Sequence, residues 1–280
     1  MPRTCVRART PDGLSIAVER FGDGERAVVF GHGGGQTRHA WDATARAVAA
    51  RGWSAYTYDL RGHGESDFAP DGVYTIDGFA HDVAAVAELV GRPAVFVGAS
   101  LGGNASLVHV GERGGDGGGS ARGLVLVDIG VRSHDAGVER IVGFMRKHVD
   151  GFESLEAAAV AVAAYTPERA RPVRPEGLRK NLRLDDDGRY RWHWDPALLA
   201  NVDREEIARS PRTEAALRAL RVPFTVVHGG RSDVLDRATA EETARLGHGT
   251  VTSVGDAAHM VAGDANDVFT QALLGFLERF

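Results

Sequence analysis

At 280 residues and 43% hydrophobic content the chain can bury a substantial core, and its formal charge of −5, with acidic and basic residues interleaved, excludes the basic footprint of a nucleic-acid partner. Its single cysteine, Cys5, excludes an internal disulfide and a cysteine-based zinc site. No stretch approaches the roughly 18 apolar residues of a membrane span, and the segment from Met1 to Arg7 lacks an apolar core of signal-peptide length, so the expected location is the cytoplasm.

Residues 3–9 and 14–20 read as two strands joined by Pro11-Asp12-Gly13, an antiparallel hairpin in which the proline presets φ and the glycine accepts a positive one. Short β-rich runs follow at 27–30, 54–58, 94–97 and 123–127, separated by Ala-rich helical patterns near 40–50, 77–90 and 101–112. This alternation predicts an α/β fold with a mostly parallel central sheet covered by helices on both faces. The run 114–119 is glycine-rich but lacks the Lys-Ser/Thr ending of a phosphate loop, and reads as a surface loop.

From about Val131 to Pro211 the alternation stops. Helical patterns appear at 136–148, 153–164 and 174–181, with Pro167, Pro172, Pro175 and Pro196 as breakers. Residues 182–194 predict a small hairpin turning at Asp187-Gly188, with Tyr190, Trp192 and Trp194 on one face. A helix near 212–220, a strand at 223–227, a helix near 236–246, a strand at 250–254 and a final helix from about 265 to 280 resume the pattern. The expected organisation is a core of residues 1–130 and 212–280, interrupted by a mainly helical cap at 131–211.

Chemistry concentrates at Gly98-Ala99-Ser100-Leu101-Gly102, where an apolar strand turns into a helix around a serine flanked by glycines two residues away on each side. So sharp a turn brings backbone close to those flanking positions, which only glycine-sized residues tolerate. A serine hydroxyl needs a base, and the base an orienting acid. His259, five residues beyond the strand at 250–254, stands at the carboxyl edge where such groups must emerge, whereas His248 precedes that strand and His228 closes the one before. Asp233, after the strand at 223–227, is the expected acid, and Asp128, at the end of 123–127, is the alternative.

The glycines of His32-Gly33-Gly34-Gly35 follow a strand and offer backbone N–H groups, so the Gly34 and Leu101 amides are the expected oxyanion donors, with His32 structural. In Asp59-Leu60-Arg61-Gly62-His63-Gly64-Glu65-Ser66, Asp59 and Arg61 are expected to pair, and His63 to do no chemistry. No metal-ligand spacing occurs, so no metal or cofactor is expected.

Taken together, these pieces and their order resemble the α/β-hydrolase superfamily, especially bacterial cap-containing members related to esterases, lactonases and cofactor-free haloperoxidases. The resemblance implies that His259 deprotonates Ser100, an acyl-enzyme forms, and water activated by His259 releases the acid. Epoxide hydrolases and haloalkane dehalogenases of the superfamily carry aspartate at the elbow, so Ser100 argues against both. The implied partner is a small-molecule ester or lactone, in a pocket lined by the cap; Gly35, Tyr190, Trp192 and Trp194 are candidate lining residues, and a core role for the aromatic face stands beside that reading. Acyl transfer to peroxide, C–C bond hydrolysis by the same triad, and a non-catalytic ligand-binding protein on this scaffold are the alternatives. No oligomeric state is implied.

Overall fold

A computed structural model describes residues 3–167, 173–200, 210–255, 257 and 266–280. Strand β1 (Arg3–Arg9) pairs antiparallel with β2 (Ser15–Phe21) across the turn in which Gly13 takes φ +91°. Then come β3 (Arg26–Gly31), α1 (Asp42–Ala49), β4 (Trp53–Tyr58), α2 (Ile76–Val90), β5 (Ala94–Ala99), α3 (Ser100–Glu112) and β6 (Ala121–Val127). Local chemistry sets the helix ends: the Thr75 hydroxyl accepts from Gly78 N–H at the start of α2, and Gly91 ends it at φ +66°.

Residues after β6 form α4 (Asp135–Lys147), α5 (Leu155–Tyr165) and a hairpin of β7 (Leu182–Leu184) and β8 (Tyr190–Trp192). The helix expected at 174–181 is instead a short 3-10 segment, Pro175–Lys180, in which Gly177 disfavours a longer helix. The chain continues through α6 (Pro211–Ala219), β9 (Phe224–Gly229), α7 (Arg237–Leu246), β10 (Thr250–Val254) and α8 (Asn266–Leu277).

Eight strands form one sheet in the order β1-β2-β4-β3-β5-β6-β9-β10, parallel from β4 onward, with β5 near the centre. Side chains alternate between two cores. Val29 and Phe96 join α2, α3, α6 and α7 on one face, while Val28, Phe30, Val95 and Val97 join α1 and α8 on the other. Burial on both faces is why these strands read as unbroken apolar runs. The segment from α4 to β8 adds no strand to this sheet among the described residues and builds a third cluster around Phe152, Leu155, Leu182, Trp192 and Trp194. No helix among the described residues is long and apolar enough to cross a membrane.

Candidate active site at the carboxyl edge of the sheet

Ser100 stands at the junction of β5 and α3 with φ +46°, a left-handed conformation that costs a non-glycine residue roughly 1–3 kcal/mol. Glycines make the junction possible. A Cβ on Gly98 would lie 2.6 Å from Gly102 O and Gly103 N, and one on Gly102 would lie 2.5 Å from the backbone of Gly31 and His32. A Cβ on Gly103 would meet Gly98 O at 2.6 Å and the Ile129 side chain at 2.7 Å. The turn therefore packs backbone on backbone. As the second residue of α3, Leu101 carries an N–H with no carbonyl partner inside the helix.

The glycine loop after β3 lies against this elbow. Gly102 N–H donates to His32 O at 3.0 Å, a Cβ on Gly33 would be 3.4 Å from Ser100 Cβ, and one on Gly34 would be 3.8 Å from Leu101 Cδ2. Residues Gly33–Gln36 form a turn closed by Gln36 N–H to Gly33 O (3.1 Å), with Gly35 at φ +76°, the sign that a type II turn requires at its third residue. Gly33 N–H donates to Gln36 Oε1 at 3.1 Å and Gly35 N–H to His63 Nε2 at 3.0 Å. The Gly34 N–H between them has no acceptor among the described residues. Met145 of α4 closes over the turn, its Cε 3.3 Å from the place of a Cβ on Gly35.

The two candidate acids differ in surroundings. Asp128, at the end of β6 with φ +52°, is fully buried, and its carboxylate accepts from Gly229 N–H (2.8 Å) and Ser232 Oγ (2.5 Å). Ser232 Oγ in turn accepts from Val234 and Leu235 N–H, so Asp128 shapes the turn that carries Asp233. Asp233 is 40% exposed, and its Oδ2 accepts from Arg140 Nε of α4 at 2.7 Å. His259 lies outside the described residues. Ala257, two residues before it, is buried, and its carbonyl accepts from Arg231 N–H at 2.9 Å, which ties the chain leaving β10 to the turn after β9.

The 59–66 loop corrects one expectation: Asp59 and Arg61 do not pair. The Asp59 carboxylate is taken up by Arg38, through both its backbone N–H and its guanidinium, and by Glu65 N–H. Arg61 instead bonds the buried Asp82 through Nε and its backbone N–H, and Asp12 through its outer nitrogens. His32 and His63 are fully buried, edge to face, with ring centroids 5.0 Å apart. Burial pushes His32 down to about 4 and His63 down to about 3, so both are neutral at pH 7.

Trp192 packs edge-on against Phe152 (5.5 Å) and Phe144 (6.1 Å), Trp194 is buried with it, and Tyr190 is half-buried at the hairpin edge. A cavity of about 410 Å³ opens between α4 and α5, lined by Phe144, Lys147, His148, Phe152, Ala161 and Tyr165. Among the described residues one set of side chains could hold a metal ion, Glu19, His39 and Asp42, with donor atoms within 4.8 Å of one another. Arg3 and Arg38 already face the Glu19 carboxylate, which opposes a second cation there.

Sequence reasoning did not find Met145, Arg140 or the contact of His63 with Gly35. No spacing signal announces them, since each touches a loop far away in the chain.

A serine at a strained strand-to-helix turn beside a glycine loop with a spare amide, at the carboxyl edge of a mostly parallel sheet, defines an α/β hydrolase arrangement. Residues 26–265 match the model of the alpha/beta hydrolase fold family, and the chain belongs to that family. It is 30% identical to esterase Rv0045c of Mycobacterium tuberculosis over 94% of this chain and 87% of that protein. It is 28% identical to the 3-hydroxybutyrate-oligomer hydrolase of Cupriavidus necator, over 91% and 90%. The crystal structure of E-2-(acetamidomethylene)succinate hydrolase shares the fold with a TM-score of 0.84 at 21% identity, covering 99% of this chain and 100% of that one.

Proposed function

We propose that this chain is a serine hydrolase of carboxylic esters that works through an acyl-enzyme on Ser100. The observation that carries the reading is the Ser100 elbow, with Leu101 and Gly34 side by side. In the reaction His259 takes the Ser100 Oγ proton as the oxygen attacks the ester carbonyl. The Gly34 and Leu101 N–H groups stabilise the negative oxygen of the tetrahedral intermediate, a contribution of about 10²–10³ in rate per donor. Collapse expels the alcohol, protonated by His259, and water activated by the same imidazole releases the acid. Asp233 orients His259, and Asp128 supports the turn that carries it. Similarity to an esterase and to a 3-hydroxybutyrate-oligomer hydrolase supports an ester as substrate.

Residues 131–211 act in this reading as a cap, with Met145 above Gly35 forming part of the pocket roof. The hairpin aromatics Trp192 and Trp194 hold the cap together. A lactone is an internal ester and fits the same chemistry. A fluorophosphonate probe should label wild-type protein at Ser100, and Ser100→Ala should lose more than about 10⁴ in turnover of short p-nitrophenyl esters while keeping its fold. Turnover retained by the alanine variant would refute the assignment. A panel of acyl chain lengths and lactone ring sizes then defines the substrate.

A further inference from the structure

The Gly33–Gln36 turn has side chains only at its end, so the directions of its peptide groups depend on what their N–H and C=O atoms bond. Two buried histidines grip it. His32 Nδ1 donates to Gly33 O at 2.8 Å, while its Nε2 accepts from Leu60 N–H at 3.1 Å. Because a peptide is planar and trans, holding Gly33 O sets the opposite direction of the Gly34 N–H. His63 holds the next plane: its Nδ1–H donates to Arg61 O at 3.0 Å, which leaves Nε2 as a lone pair that accepts Gly35 N–H at 3.0 Å.

The Gly34–Gly35 peptide is the central unit of the turn, the one that reverses between type II and type I geometry. Glycine on both sides makes that reversal sterically easy. His63 itself has little freedom. Its loop is clamped by the segment after β8, where Gly64 N–H donates to His193 O (2.6 Å) and Asp195 N–H to Gly62 O (2.8 Å).

We infer that His63 is a positioning residue of the oxyanion loop: by accepting the Gly35 N–H it holds the central peptide of the Gly33–Gln36 turn in its type II orientation, and so keeps in place the turn on which His32 aims the Gly34 N–H through the preceding peptide plane. The inference rests on the serine-hydrolase reading above. The hairpin following the cap helices thereby braces the oxyanion loop through the 62–64 loop. A protonated imidazole would set an N–H against the Gly35 N–H, and burial keeps His63 neutral throughout the assay range.

The test compares His63→Met, which removes the acceptor, with His63→Gln, whose Oε1 reaches the place of Nε2. With p-nitrophenyl butyrate, His63→Met should lower kcat roughly 10–100-fold with KM within about twofold, part of the loss expected for a missing oxyanion donor. Fluorophosphonate labelling should slow by the same factor, because the phosphonyl oxygen occupies the same hole. His63→Gln should recover to within about fivefold of wild type at an equal melting temperature. Equal losses in both folded variants, an unchanged kcat in His63→Met, or a change confined to KM would overturn the inference. If His63→Met does not fold, hydrogen exchange at the Gly35 amide decides: protection in wild type and His63→Gln is expected, and free exchange refutes. Turnover retained by Ser100→Ala would remove the serine-hydrolase reading and this role with it. Labelled wild-type Ser100 with an unaffected His63→Met would remove only the role of His63.

Discussion

Gly98→Ala is the sharpest probe of the elbow. The added Cβ would stand 2.6 Å from Gly102 O and Gly103 N, with Gly103 Cα closer still, and all three are backbone atoms that no rotamer change can move. Restoring an ordinary contact of about 3.4 Å or more requires the first turn of α3 to retreat by about 1 Å from β5. Overpacking of this kind costs about 1–3 kcal/mol, and a 1 Å displacement of a reacting group costs on the order of 10²-fold in rate. Because Ser100 and the Leu101 N–H ride on that turn, labelling by a fluorophosphonate and ester turnover should fall together. Urea denaturation measures the stability loss, and stopped-flow labelling measures the rate. The control is Gly143→Ala in the interior of α4, where a Cβ meets nothing within 4 Å; it should gain about 0.5–1 kcal/mol and leave labelling unchanged. Wild-type stability and labelling in Gly98→Ala would refute the argument that backbone contact sets this elbow.

Buried neutral histidines make stability depend on pH. His32 and His63 bind protons in the unfolded chain below about 6.5 but not in the folded one until about 4 and about 3, so stability is full above 6.5 and declines as pH falls through that window. Each imidazole contributes up to about 1.4 kcal/mol per pH unit, about 2 kcal/mol between pH 7 and pH 5, and His63→Gln should remove about half of the pair's slope in urea titrations. An unaltered slope in that variant would contradict the neutral assignment. Asp233→Asn should lower kcat by about 10³–10⁴ with little loss of stability, because its carboxylate is exposed; a drop of less than tenfold in ester turnover would exclude it as the orienting acid. Asp128→Asn places an amide against Ser232 and should cost about 1–3 kcal/mol in chemical denaturation. Trp192→Ala should destabilise the protein by about 3–5 kcal/mol through loss of its packing on Phe144 and Phe152; an effect on KM alone, with unchanged unfolding, would make it a pocket residue instead.

The element order, the parallel core and the elbow were legible in the sequence because each rests on local rules. Unbroken β-branched runs mark strands buried on both faces, and Gly98 and Gly102 mark a turn whose backbone contacts admit no side chain. The same locality placed Gly34 beside Leu101, since both follow neighbouring strands at one edge of the sheet. Only the tertiary structure decided the pairings: Asp59 with Arg38, Arg61 with Asp82, Asp233 with Arg140, and Gly35 with His63. A charge or an imidazole in the chain has many possible partners, and the choice among them depends on which loops the packed sheet brings within about 3 Å. The aromatic alternation at Tyr190, Trp192 and Trp194 suited both a pocket and a core, and Phe144 and Phe152, distant in sequence, are what buried Trp192.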